Sequence, residues 1–260
     1  MDFTITIYRK LLQSLKDEGY TFQTYSEFIK DPKDKSVILR HDVDKRPRNS
    51  EKFAQIQKEY DIKGTYYFRC VPQSYDEKII KNISNMNHEI GYHYEEMDLC
   101  NGDINAAIKL FENNLKKLRN ISPIETICMH GSPRSKHDNK SIWKQYKYED
   151  YDIIGEPYFD LDFNKIAYLT DTGRTWDGAL FSVRDKVETN LKFKIKSTHE
   201  LIHHLNKKLL PNQLMLTFHP QRWSSDILIW TQELVFQNLK NIVKKQIVNK
   251  TEAFKATTLS

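Results

Sequence analysis

Apolar positions recur along this chain with two periods, and the switches between them mark out its elements. Ile7, Leu11, Leu12 and Leu15 fall three or four residues apart, which gathers them on one face of a helix, and Ser26 to Lys30 reads as a second short turn. The first 35 residues are therefore expected to form a helical extension packed on the rest. From Ser36 the period changes: Val37, Ile38 and Leu39 make an apolar run within Ser36–His41 that predicts a buried strand. Pro47 to Tyr60 reads as an amphipathic helix with Phe53, Ile56 and Tyr60 inward and Asn49 or Ser50 as its cap. Gly64 breaks that helix before a β-rich run, Thr65–Phe68. The alternation continues with helices over 74–86 and 103–120 and strands over 88–93 and 125–130. Short strands over 152–155 and 166–170, a helix over 197–209, a strand over 213–218 and a closing helix over 227–245 complete it. Strands that alternate with helices call for a parallel sheet, because parallel neighbours need a crossover and a helix supplies it. About seven or eight such strands predict an α/β fold, a distorted (β/α) barrel that is closed or nearly so. The alternative, an open doubly wound sheet, lacks its Gly-rich phosphate loop here. No repeat, low-complexity block or linker divides residues 1–260, which are read as one domain.

Composition narrows the class. With 39% apolar and 29% charged residues the chain is neither disordered nor fibrous. No window approaches the length of apolar sequence a membrane span requires. The opening residues meet Arg9 and Lys10 before any apolar run develops, unlike a secretory signal. Cys70, Cys100 and Cys128 are odd in number and lack metal-type spacing, so a disulfide framework is not expected. The net charge of +5 is mild, and lysines and acids are interspersed as on a solvated surface rather than a nucleic-acid footprint. These features predict a cytoplasmic protein with no nucleic-acid partner and no membrane span.

The candidate chemistry collects where strands end. The first strand runs out into Asp42-Val43-Asp44, the next at Arg69, the third at His93 and Glu95, the fourth at His130, the one near Ile166 at Asp171, and the last at His219. In a parallel barrel all these ends lie on one face and converge on one site. Asp42 and Asp44, one residue apart, project to the same side of an extended chain and can hold a divalent cation, or one can hold it while the other acts as a base. His93 and His130 offer imidazole nitrogens to a borderline metal such as zinc. His219 lies before Pro220 and has a side chain suited to proton transfer near neutrality. Arg222 and Trp223 after it, and Arg174, Trp176 and Asp177 in the Asp171–Asp177 loop, supply cations and aromatic faces suited to a sugar.

Two competing patterns are present. Asp42–Asp44 also fits the D-x-D motif of glycosyltransferases, but that spacing recurs at Asp150–Asp152 and Asp160–Asp162. His199-Glu200-Leu201-Ile202-His203 fits the H-E-x-x-H motif of zinc peptidases. Ser197 and Glu200 form a capping box there, which gives Glu200 a local job and leaves His199 in the first helical turn.

Val37-Ile38-Leu39-Arg40-His41-Asp42-Val43-Asp44, His88-Glu89-Ile90-Gly91-Tyr92-His93 and Leu216-Thr217-Phe218-His219-Pro220 together resemble motifs of the polysaccharide deacetylase superfamily, metal-dependent carbohydrate N- or O-deacetylases. The resemblance runs from about Ser36 to Trp223. It implies a distorted barrel, a catalytic base at Asp42, a metal ligand at Asp44 (the two open to exchange), a second ligand at His93 and a general acid at His219. The chain departs from the pattern in two places. Val43 separates two normally adjacent aspartates, and the family's second metal histidine falls on Met97. His130, in Cys128-Met129-His130-Gly131-Ser132-Pro133, is the preferred replacement, with Glu95 and Asp98 as alternatives. The implied activity is hydrolysis of an acetyl amide on a carbohydrate, a glycan precursor or a related small amide, with a divalent metal, zinc first. A non-catalytic carbohydrate-binding barrel is the other reading, and the peptidase follows it.

Overall fold

The computed structural model describes residues 1–131, 136–176 and 187–241. Ser132, Pro133 and Asp177 of the motifs above, and positions 242–245 of the closing helix, lie outside the described residues. The sheet is built from β1 (Thr21–Gln23), β2 (Ser36–Val43), β3 (Thr65–Phe68), β4 (Glu89–Tyr94), β5 (Ile127–Met129), β6 (Ile166–Thr170) and β7 (Gln213–Phe218), every pair parallel. Helices α1 (Ile5–Asp17), α2 (Tyr25–Lys30), α3 (Pro47–Glu59), α4 (Glu77–Asn85), α5 (Glu96–Leu99), α6 (Ile104–Arg119), α7 (Pro157–Asp160), α8 (Thr198–Asn206) and α9 (227–241) accompany it. The strand order β5-β4-β3-β2-β7-β6 curls into a half-barrel, the distorted (β/α) barrel expected from the alternation. β2 is its axis. β7 follows one edge from Ser36↔Gln213 to His41↔Phe218, while the other edge is shared by β1 opposite Ser36–Ile38 and β3 opposite Arg40–Val43.

Strand parity sorts the side chains, because successive residues point to opposite faces. Val37, Leu39 and Val43 of β2, Tyr66 and Phe68 of β3, Ile90, Tyr92 and Tyr94 of β4, Ile127 and Met129 of β5, and Leu214, Leu216 and Phe218 of β7 join the main core with the helices. The opposite parity begins with Ile38, Tyr67, Cys128, Ile166 and Met215, which pack with Tyr25 and Phe28 of α2 into a second, smaller core. Farther along, the same parity carries Arg40, Asp42, Arg69, His93, His130 and His219. Gly91 belongs to this inner row: a Cβ there would lie 2.3 Å from the Tyr67 ring, so only glycine lets that ring cross the strand.

Three local expectations change, and the structure adds the orientation of α9. The first 35 residues are not all helical, since Thr21–Gln23 enters the sheet as β1; three residues on half of one edge are too short to show a period. α3 begins at Pro47, whose fixed φ and missing N–H suit the first helical position, so Asn49 does not cap it and instead donates to the Pro220 carbonyl at 3.2 Å. Residues 152–155 are not a strand. This stretch runs along the edge of β5, where Gly155 O accepts from Ile127 N at 3.1 Å and the Glu156 carboxylate accepts from Met129 N at 3.0 Å, a side chain taking the place of a neighbouring strand. α9 is polar side in: Glu233 and Gln237 are buried, whereas Leu228, Val235, Phe236 and Leu239 are exposed. It lies against loops at the C-terminal ends of the strands, with Asn241 Nδ2 donating to Gly173 O at 2.9 Å and Lys45 Nζ 3.8 Å from Glu233. No helix among the described residues is long and apolar enough to cross a membrane.

Candidate metal centre

The inner-parity residues at the ends of β2, β4, β5 and β7 meet. Asp44 Oδ1 lies 3.7 Å from His93 Nε2 and 3.6 Å from His130 Nε2, and the donor atoms of these three residues all fall within 4.8 Å of one another. Ligand atoms around a tetrahedral zinc are roughly 3.3 Å apart. These separations are too long for direct hydrogen bonds and close to what a shared cation requires. Asp44 Oδ1 is buried and has no hydrogen-bond partner among the described residues, while Oδ2 accepts from Gln221 Nε2 at 3.0 Å. An orphaned carboxylate oxygen is costly in an interior, and this one faces two imidazole nitrogens.

His93 sharpens the fit. Its Nδ1 donates to the Cys128 carbonyl at 2.8 Å, so in the neutral ring Nε2 carries a lone pair. That lone pair faces Asp44 and also Asp42, 3.8 Å away, an arrangement of acceptors that a cation between them would satisfy. Burial dominates in holding the His93 pKa down at about 4, with Asp42 and Asp44 pulling the other way, so the ring is neutral and fit to ligate near pH 7. Burial would raise Asp44, but His219, His130, His93 and Arg222 outweigh it and hold the carboxyl well below the usual range.

Asp42 is occupied differently. Arg40, one inner position earlier on β2, grips it through Nε at 2.8 Å and Nη2 at 2.7 Å, with both side chains buried. Burial would raise Asp42, yet Arg40 first, then His93 and His219, outweigh it and hold the carboxyl below the usual range. His219 Nδ1 lies 2.6 Å from Asp171 Oδ1, and its Nε2 points back to Asp44 Oδ2 at 3.9 Å. Asp171, fully buried, also accepts from the His219 backbone N–H at 2.9 Å, Arg222 Nη1 at 2.8 Å and Trp223 Nε1 at 2.7 Å.

The structure brings Asp42, Asp44, His93, His130 and His219 together. It places the expected sugar-binding residues elsewhere. Trp176 is fully buried, with Nε1 donating to Thr198 Oγ1 at 3.0 Å, and Trp223 is buried among Phe3, Tyr8, Phe53 and Phe218, so neither ring offers a face to a ligand. The Arg174 guanidinium lies over the rings of Phe3 and Trp230 at 4.6 and 5.0 Å, and Arg222 is spent on Asp171. Arg222 and Trp223 instead support the site through Asp171. Met97 packs in the main core, and Asp98 accepts from Asn139 Nδ2 at 3.2 Å and is not part of the group with ligand spacing. Glu95 is held by Arg69 and lies beside His130 rather than in the ligand set. His199 and His203 are exposed on α8, and among the described residues Asp44, His93 and His130 form the one group of three with ligand spacing. Residues that sequence reasoning passed over are Arg40, Gln221 and the Asp171 carboxylate as partner of His219. For Arg40 a signal existed: an arginine inside an apolar strand, two residues before an aspartate, shares its face.

No protein-family model matches the chain, and no curated protein matches it. Solved structures do. A family 4 carbohydrate esterase from Streptococcus mutans is 14% identical over 89% of this chain and 91% of its own, with a TM-score of 0.46. The family 4 pseudoenzyme BA3943 of Bacillus anthracis is 13% identical over 81% of this chain, with a TM-score of 0.45; the chain spans 61% of that protein's length. PdaA of Bacillus subtilis, also a family 4 carbohydrate esterase, is 13% identical over 86% of this chain and 90% of its own, with a TM-score of 0.39.

Proposed function

We propose that this chain is a metal-dependent hydrolase that removes an acetyl group from the nitrogen of a carbohydrate or related small amide. The observation that carries this reading is the buried Asp44 Oδ1, without a hydrogen-bond partner among the described residues, between His93 Nε2 and His130 Nε2. Asp44, His93 and His130 would hold the divalent cation, zinc by their donor set. Such a cation supplies Lewis acidity toward water and an acyl carbonyl. Asp42, ionised by Arg40 and adjacent to the same atoms, is the base that takes the proton from water. His219 is the acid. Asp171 accepts its Nδ1–H and stabilises the imidazolium, which leaves Nε2–H directed into the site to protonate the departing amine. Three free thiols support a reducing, cytoplasmic setting.

The non-catalytic barrel has one observation on its side, the burial of Met97 where a second histidine would stand. Acetate release from N-acetylated saccharides, measured alongside metal content, separates the two readings. The hydrolase gives acetate with about one equivalent of metal, and both are lost in Asp44→Ala and His93→Ala. Saccharide binding that survives chelation, with no acetate from any substrate, would replace it with the second reading.

A further inference from the structure

His130 is an unusual place for a metal ligand. It follows the last residue of β5, a strand of three residues at the edge of the sheet. Its backbone is fixed from both sides: the N–H donates to Tyr94 O at 2.8 Å, and the carbonyl accepts from Asn139 Nδ2 at 2.8 Å. These contacts fix the main chain and touch none of the ring atoms. What meets the ring is Glu95, whose Oε2 lies 2.9 Å from His130 Nδ1, at hydrogen-bond distance though off the line of the ring N–H. Glu95 is itself immobilised. Arg69 binds both of its oxygens at 2.7 Å, Nε to Oε1 and Nη2 to Oε2. The third guanidinium nitrogen, Nη1, donates to the backbone carbonyl of Asp44 at 3.0 Å. One guanidinium therefore touches the main chain of one cluster residue and the carboxylate that faces another. A planar fork fixes the plane of Glu95 in a way an ammonium does not.

We propose that Arg69 and Glu95 are a positioning pair that keeps the His130 proton on Nδ1 and presents Nε2 to Asp44 and His93, so that an edge-strand histidine serves in place of the one missing at Met97. A carboxylate on the distal nitrogen fixes tautomer and ring orientation and makes the imidazole a better donor. This inference rests on the metal reading of the cluster, and its test separates the two.

Zinc is titrated into chelator-stripped full-length protein against a chromophoric competitor, and the histidine rings are followed by 15N spectra. Glu95→Gln and Arg69→Met should each weaken zinc binding by about 10–100-fold. The double variant should lose no more than the worse single variant, because both act through one ring. Arg69→Lys, which keeps the charge and loses the fork, should fall between them and wild type. In Glu95→Gln the His130 signals should move away from those of an Nδ1-protonated ring. If wild type binds zinc and Glu95→Gln stays within about twofold with unchanged His130 signals, the positioning role is overturned and the metal site stands. If wild type binds no zinc, both readings fall. Should Glu95→Gln not fold, Arg69→Lys decides by the same two readouts.

Discussion

His41 and His93 are a natural experiment within one sheet. Each is fully or almost fully buried, on β2 and β4, and each directs Nδ1 to a backbone carbonyl, Thr65 O at 3.0 Å and Cys128 O at 2.8 Å. Burial leads in holding both neutral, at about 3 for His41 and about 4 for His93. They differ in what Nε2 meets. His41 faces the main core, stacked between Tyr66 and Phe218 at 4.1 and 5.4 Å, and its Nε2 is 3.0 Å from the Gln57 amide nitrogen, which donates to it. His93 has the opposite parity, and among the described residues its Nε2 meets two carboxylates, 3.8 and 3.7 Å away. A histidine whose acceptor is satisfied is part of the packing. One whose lone pair is turned toward anions is placed to ligate a cation, as in the function proposed above. The lesson is that burial and residue type do not separate structural from functional histidines here; the partner of the second ring nitrogen does.

The largest expected effect breaks the comparison outright. Asp44→Ala or His93→Ala should take metal content from about one equivalent to almost none, while His41→Ala should keep its metal and lose roughly 3–5 kcal/mol of stability through a cavity and the stranded Gln57 amide. Elemental analysis and urea unfolding of the same samples read both. Next, Asp171→Asn should lower turnover by roughly 10³–10⁴-fold without touching metal content, because the Asp171 carboxylate, rather than the metal, sets the His219 tautomer. Equal loss of metal and turnover would show that Asp171 merely holds the fold. Arg40→Met should cost about 3–5 kcal/mol, since Asp42 would be left as an uncompensated buried charge.

A pH dependence follows from His41. Its folded pKa is depressed from the usual 6.5 to about 3, so the unfolded chain takes up a proton that the folded one refuses. Its contribution is present in full above pH 6.5 and is lost as pH falls toward 3, a loss of roughly 5 kcal/mol. Glu96 and Glu156 oppose this, because burial raises both to about 7 and their contribution is lost as pH rises from 4.5 to 7. Urea midpoints across pH 3–8 should therefore fall at the acid end for wild type and less steeply for His41→Asn. The smallest effect sharpens the exclusion of the peptidase motif: His199→Ala should leave metal content and stability within about 0.5 kcal/mol of wild type, as expected of an exposed side chain.

The sequence by itself determined the alternation of strand and helix, the parallel sheet and the residue types at the strand ends. These are local properties, carried by side-chain period, and six of the seven strands could be read from it. It also placed Asp42, Asp44, His93, His130 and His219 on one rim, because parallel strands share a direction. It could not choose among neighbours. Trp176, Trp223, Arg174 and Arg222 look like ligand-binding residues in a loop and become core or support only when residues distant in sequence meet them, Phe218 at Trp176, Phe3 at Trp223 and Arg174, and Asp171 at Arg222. Arg40 on Asp42 was within reach of the strand period; Arg69 and Glu95 beside His130 were not, since that contact joins three different strand ends. Which carboxylate is neutralised and which is left facing imidazoles depends on distances of a few ångströms between residues tens of positions apart, and only the tertiary structure decides that.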